Sequence, residues 1–332
     1  MYFNANIGNI ICNIAIIYYK FANSNLNLMF MKNIYTLGES LIDIIFECDK
    51  VKDAIPGGSM LNTAISLGRM GLDIHHITEL GNDSGGNLIE QFLKTNHVKN
   101  DNITKYKNHQ TALALAFLDA NNNANYTFYK RNPRKRILKC PDFKKDDILL
   151  FGSIYSITKE LREPILNILN EAKKAGDIIV YDPNIRKNHL KDLKKFKQFI
   201  DENINYATIV KASDEDVENI YSTKDFNEIY NLIKKAGCNN LIITENKNGV
   251  NLFTPIITKH YDVPKIRPVS TIGAGDSFNA GIIFAINKLA LADINNINIP
   301  FRDKIIETGI AFATDVCLSY ENYISDTIKT NY

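Results

Sequence analysis

The chain has 332 residues, 45% of them hydrophobic, which is enough to bury a full core as one large α/β domain or two smaller ones. Its 39 basic and 37 acidic residues leave a formal charge of +2 and are interspersed apart from a basic cluster at 130–139, so nucleic-acid binding has little support. Five cysteines and six histidines are scattered without a CxxC pair or metal-ligand spacing; no zinc site is expected, and a reducing, cytoplasmic setting is.

From the start of the chain, Ile7 to Tyr19 is apolar but shorter than the roughly 20 residues a spanning helix requires. It also lacks the basic start and cleavage site of a signal peptide, so stable membrane insertion is not expected. Met29 and Met31 directly precede the first strand signal, and residues 1–31 are therefore read as an extension outside the fold. A short membrane-associating helix is the alternative for that segment. Residues 32–332 form the domain.

Strands are expected at Ile34 to Leu37, Ile74 to Glu79, Ile148 to Gly152, Ile178 to Tyr181, Ala207 to Val210 and Leu241 to Thr244. Helical patterns lie between them, one carrying Leu61, Ala64, Ile65 and Leu67 before a stop at Gly71, another running from Leu161 to Ala175. This alternation predicts a mainly parallel sheet covered by helices on both faces. Two segments break it: Leu41 to Cys48, and a hairpin of Thr111 to Phe117 with Tyr126 to Lys130 around Asn121-Asn122-Asn123. These read as a small β lid, near 41–56 and 107–133, over the carboxyl ends of the parallel strands, where open α/β folds bind ligands. Its free edges suit homodimer formation through the lid.

Chemistry concentrates in STIGAGDSFNAG, Ser270 to Gly281. Backbone N–H groups at a helix start have no intrahelical acceptor, and the glycines of Gly273-Ala274-Gly275 let an anion approach them closely. Asp276 is poorly suited to bind that anion but well suited to take a proton from a hydroxyl attacking phosphorus in line. The competing reading is that Asp276 is only an N-cap and the glycines a tight turn. A dinucleotide-binding reading fails, because its glycine signature belongs directly after an early strand.

With PGGSMLNTA (Pro56 to Ala64), YDPNIR (Tyr181 to Arg186) and IVKASDED (Ile209 to Asp216), the chain resembles the ribokinase-like, or PfkB, family of sugar kinases over roughly Asn33 to Tyr320. The resemblance implies an α/β three-layer sandwich with a mainly parallel central sheet and a small β lid. It also implies transfer of the γ-phosphoryl of ATP, carried with Mg2+, to a primary hydroxyl of a sugar. By the same resemblance Asp276 is the base beside Gly273, Ala274 and Gly275, and Asp43 in GESLID binds sugar hydroxyls with Gly57, Gly58 and Asn62. Asn184 and Arg186 point toward the substrate, and Arg131, after the lid hairpin, is a further candidate. Lys211, Ser213, Thr244, Gly249 and Thr271 match the nucleotide side, with Asp216 toward the metal. Plainer alternatives stand beside these roles: a strand-to-helix turn for Gly57-Gly58, helix capping for Ser213, and a solvated basic face for Arg131.

Three positions depart from the family pattern: Ser213, Asn246 where a glycine is usual, and Ser270 where an acid contributes to a monovalent-cation site. The DPNxR segment resembles fructokinases and 2-keto-3-deoxygluconate kinases more than nucleoside kinases. Fructose is the first expectation; a keto-acid sugar gripped by Arg186 is the second. A catalytically silent sugar-binding regulator is the alternative from another class.

Overall fold

The computed structural model describes residues 32–47, 50–118, 124–185 and 193–331; the expectations for residues 1–31, for the Asn121-Asn122-Asn123 turn and for Arg186 lie outside these. In chain order the first elements are β1 (Ile34–Leu37), β2 (Leu41–Glu47), β3 (Lys50–Gly57), α1 (Ser59–Arg69), β4 (Ile74–Gly81), α2 (Ser84–Thr95) and β5 (Ile103–Tyr106). Next come β6 (Gln110–Leu118), β7 (Ala124–Arg131), β8 (Ile148–Gly152), α3 (Arg162–Ala175), β9 (Ile178–Asp182), α4 (Leu193–Tyr206) and β10 (Ile209–Ser213). The chain continues through α5 (Asp214–Tyr221), α6 (Phe226–Ala236), β11 (Leu241–Thr244), β12 (Val250–Phe253), β13 (Thr258–Tyr261), α7 (Ala274–Lys288) and α8 (Ile299–Cys317).

Nine strands form the main sheet in the order β13-β12-β11-β10-β9-β8-β1-β4-β5. From β11 to β5 every pairing is parallel, and only the β11–β12 and β12–β13 pairings at the edge are antiparallel. Alternate residues divide the core between the faces. Ile34 packs with α1 and α7, whereas Tyr35 and Leu37 pack on the side of α3 and α4. The sheet is thus buried on both sides, as its near-continuous apolar strands require.

The strand expected at Ala207 to Val210 is shifted to Ile209–Ser213: Ala207 N–H bonds to Ile204 C=O and so belongs to the end of α4. Strands β5, β12 and β13 were not anticipated. Each has four residues, and β5 is polar at two of its positions and β13 at three, too little pattern to separate strand from loop.

The lid is a second sheet, ordered β3-β2-β6-β7. The expected hairpin is present, with Leu113 opposite Tyr129 and Phe117 opposite Asn125, and β2 joins it in parallel through Asp43 opposite Ala114. The lid exposes Val51, Phe117, Phe128 and Tyr129, of which Phe128 and Tyr129, adjacent on β7, point to opposite faces. Among the described residues, no helix is long and apolar enough to cross a membrane.

One buried histidine pins the junction between sheet and lid. His76 on β4 is fully enclosed, with Nδ1 2.7 Å from Thr36 Oγ1 on β1 and Nε2 2.8 Å from Ser40 Oγ, where the chain leaves for the lid. Burial pushes its pKa from 6.5 down to about 3. On acidification the unfolded chain takes this proton first, so the stabilisation from neutral His76 is complete above pH 6.5 and is lost as pH falls toward 3. Urea unfolding of wild type and His76→Gln between pH 7 and 4 should show stabilities that converge on acidification, at no more than about 1.4 kcal/mol per pH unit. A difference independent of pH would show that His76 contributes only packing.

Candidate active site

Two helix starts meet at the carboxyl ends of the parallel strands. Helix α7 begins after Gly273, whose φ of 81° lies in the left-handed region and whose added Cβ would fall 2.3 Å from the Asn322 carbonyl oxygen. Ser277 N–H donates to Gly273 C=O, which makes Gly273 the cap and Asp276 the third residue inside the helix. Asp276 is therefore not the N-cap. Its carboxylate Oδ2 accepts from Asn62 Nδ2 at 2.8 Å, and its carbonyl accepts from Thr63 Oγ1 at 2.9 Å. Both partners lie on α1, more than 200 residues earlier. Gly275 and Thr271 face solvent beside a carboxylate that is only 8% exposed.

Helix α1 owes its position to the double glycine before it. A Cβ on Gly57 would lie 1.9 Å from Asp43 Oδ2, and Gly58, at φ 131°, would meet the Glu39 carbonyl at 2.2 Å. Only bare backbone lets the Asp43 carboxylate lie over the end of β3 while the chain turns into α1. Asp43, Gly57, Gly58, Asn62 and Asp276 are thereby brought along one connected surface. Asn62 Oδ1 is buried and has no partner among the described residues.

Beneath the glycine loop lies a buried ion pair that the sequence reading had not assembled. Lys211 Nζ donates to Asp182 Oδ2 at 3.1 Å, and Asn279 Nδ2 donates to the same oxygen at 2.6 Å. The lysine is 3% and the aspartate 1% exposed. Nζ also lies 3.2 Å from where a Gly275 Cβ would be, directly under the loop. Burial alone would drive the ammonium toward neutrality. Asp182, Asp216 and Asp276 outweigh it and raise the lysine pKa above its ordinary value. The signal for Asn279 was present in the sequence: it follows Asp276 by three positions and so shares its helix face.

Ser213 and Asp216 form a capping box at the start of α5. Asp216 Oδ2 accepts from Ser213 N at 2.8 Å and Oγ at 2.7 Å, and Oδ1 accepts from Ile185 N at 2.6 Å. Burial, and then the Asp182 charge, push the Asp216 pKa up to about 6. Asn184, just before Ile185, takes a left-handed φ of 42°. At the end of β11, Thr244 Oγ1 reaches Ala212 C=O at 3.4 Å, and Asn246, at φ 52°, adopts the left-handed backbone that glycine takes more freely. Gly249 leaves no room for a side chain, since a Cβ there would lie 2.5 Å from the Tyr261 carbonyl. Arg131 ends β7 on the exposed rim of the lid, in a separate cleft.

The pfkB family carbohydrate kinase profile matches residues 31–295. Fructokinase-2 of Solanum habrochaites is 30% identical over 276 residues, spanning 78% of this chain and 84% of that protein. Fructokinase from Vibrio cholerae O395, solved with fructose, ADP and calcium ion bound, superposes with a TM-score of 0.81 at 19% identity, covering 91% of this chain and 99% of that one. Aminoimidazole riboside kinase from Salmonella enterica, solved with aminoimidazole riboside and an ATP analog, gives 0.79 at 20% identity over 90% and 99%. The two structures show the shared fold; the profile match, across the glycine loop, α1 and most of both sheets, settles the family. The chain belongs to the pfkB family of carbohydrate kinases.

Proposed function

We propose that the protein transfers the γ-phosphoryl group of ATP to a primary hydroxyl of fructose, giving fructose 6-phosphate. The observation that carries this reading is the Asp276 carboxylate, enclosed at the start of α7 beside the glycine loop and held by Asn62. In this reading a sugar lies along Asp43, Gly57, Gly58 and Asn62, with one hydroxyl directed at Asp276. Asp276 takes the proton as the hydroxyl oxygen bonds to phosphorus and the bond to the leaving nucleoside diphosphate breaks. Backbone N–H groups after Gly273 stabilise the charge on the transferring group. Closure of the lid excludes water, which would otherwise compete as acceptor.

Lys211, Ser213, Thr244, Gly249 and Thr271 would flank the nucleotide. A magnesium ion carried on the phosphates suits the oxygen donors present: Asp182 Oδ1 is buried without a partner among the described residues, and Asp216 adjoins it. Asp182 and Asp216 would be the carboxylates beside the ion, which would neutralise phosphate charge. Ser270 offers a neutral hydroxyl that accepts from Ile272 N–H, so no monovalent cation enters the proposal. A second copy of the chain would cover exposed apolar residues of the lid.

The fructokinases among the relatives favour fructose, while the likeness to aminoimidazole riboside kinase makes a riboside the competitor to test. ATP consumption should be measured with fructose, 2-keto-3-deoxygluconate, ribose and aminoimidazole riboside, and fructose should give the highest kcat/KM. Asp276→Asn should melt near wild type and bind both substrates while turnover drops about 10² to 10⁴-fold. Retention of more than about a tenth of the turnover would contradict the general-base role. Sugar binding without turnover in the wild type would favour a regulator.

A further inference from the structure

Helix α1 is buried at nine of its eleven positions, yet a polar stripe runs down one side of it. Asn62, Ser66 and Arg69 follow one another at intervals of four and three residues, which sets them on a single face. Asn62, with its neighbour Thr63, holds Asp276. One turn on, Ser66 Oγ lies 3.5 Å from Ser277 Oγ and accepts from Ile324 N–H at 3.3 Å. Arg69, at the end of the stripe, has no part in the roles above.

Arg69 reaches three acceptors remote in the chain. Its Nε donates to Asn96 Oδ1 at 2.9 Å, and Nη1 donates to Glu321 Oε2 at 2.7 Å and to the Ile324 carbonyl at 2.8 Å. The guanidinium lies 4.3 Å from the Tyr323 ring centre. The Glu321 carboxylate is about half exposed and adds little by itself. Ile324 is fully enclosed and Asn322 and Tyr323 nearly so, and the gripped carbonyl and stacked ring therefore fix this length of backbone. Just beyond it, Asp315 of α8 accepts from Ser325 N–H at 2.7 Å and from Ser325 Oγ at 2.9 Å. Residues 321–324 thus form a strap held at both ends. Its middle is the wall behind the glycine loop: a Cβ on Gly273 would fall 2.3 Å from the Asn322 carbonyl oxygen and 2.7 Å from its Cα, so the Asn322 backbone lies directly on the residue that caps α7.

We propose that Arg69 is a positioning residue for phosphoryl transfer, acting through the strap rather than on a substrate: it holds residues 321–324 against Gly273, so that the backbone N–H groups of the first turn of α7 keep their direction. The proposal rests on the kinase reading above. Preorganised donors need no rearrangement when charge develops. A loosened strap therefore slows the chemical step more than it weakens sugar binding, which that reading gives to the other end of α1. Lysine is no equivalent, because an ammonium supplies charge without the planar fork or the flat face.

Steady-state kinetics and amide hydrogen exchange of wild type, Arg69→Ala and Arg69→Lys test this. Arg69→Ala should lower kcat for fructose about ten-fold or more, the loss expected for hydrogen bonds made by a charged group, with KM for fructose within about two-fold of wild type. Arg69→Lys should recover only part of the loss. Amides of residues 274–277, at the start of α7, should exchange faster in Arg69→Ala, while those of β1 and β8 in the middle of the sheet keep wild-type protection. An unchanged kcat, full recovery by lysine, or faster exchange that is confined to the strap or spread evenly over the sheet would overturn the proposal. If Arg69→Ala does not fold, Arg69→Lys decides, with a lowered kcat and faster exchange at 274–277 expected. Exchange also separates the two readings: faster exchange at 274–277 in Arg69→Ala, in a protein whose wild type phosphorylates no sugar, would support the positioning role and contradict the kinase.

Discussion

A hydrogen bond between Asn62 and Asp276 joins two segments separated by more than 200 residues, and the geometry of the site depends on it. It is charge-assisted and enclosed, the class of bond worth about 1.5–3 kcal/mol. Together with Thr63 on the Asp276 carbonyl, it fixes the start of α7 against the start of α1. Glycine makes the approach possible at both ends: Gly58 lets the chain turn under Glu39, and Gly273 lets it turn over Asn322. A methyl group would strike the Glu39 carbonyl at the first position and the Asn322 carbonyl at the second, so the chain at that helix start would have to shift.

Around this junction the sheet gathers polar groups that would be costly anywhere else in the core. Lys211, Asp182 and Asn279 form a buried network at the ends of β9 and β10, with Asp216 capping α5 beside it. A buried ion pair adds little to stability against apolar residues of the same shape. Its position is directly under the glycine loop, where Lys211 Nζ lies 3.2 Å from the place of a Gly275 Cβ. His76 ties β1 and the departure of the lid to β4.

Much of this was legible in the sequence because its cues are local. Gly273-Ala274-Gly275-Asp276 and Gly57-Gly58 with Asn62 declare a loop and a helix start within a few residues, and the apolar runs of β1, β8 and β11 are bounded by clear turn signals. What escaped depends on contacts remote in the chain. Asp182 and Asn279 become partners only when β9 and α7 are adjacent. The Ser213 capping box, by contrast, was visible as a short-range pattern, and the structure contains it. The edge strands β5 and β13, and β12 next to the edge, owe their conformation to their neighbours' ladders rather than to their own residues.

The most direct test of the account is a double-mutant cycle in kcat between Asn62→Ala and Asp276→Asn, with saturating fructose and ATP. If Asn62 acts on the chemical step by holding Asp276, Asn62→Ala should lower kcat in the wild-type background and cost nothing further once Asp276 is asparagine. Independent, multiplicative losses in the two backgrounds would contradict it, and would mean that Asn62 and the acid serve the reaction separately.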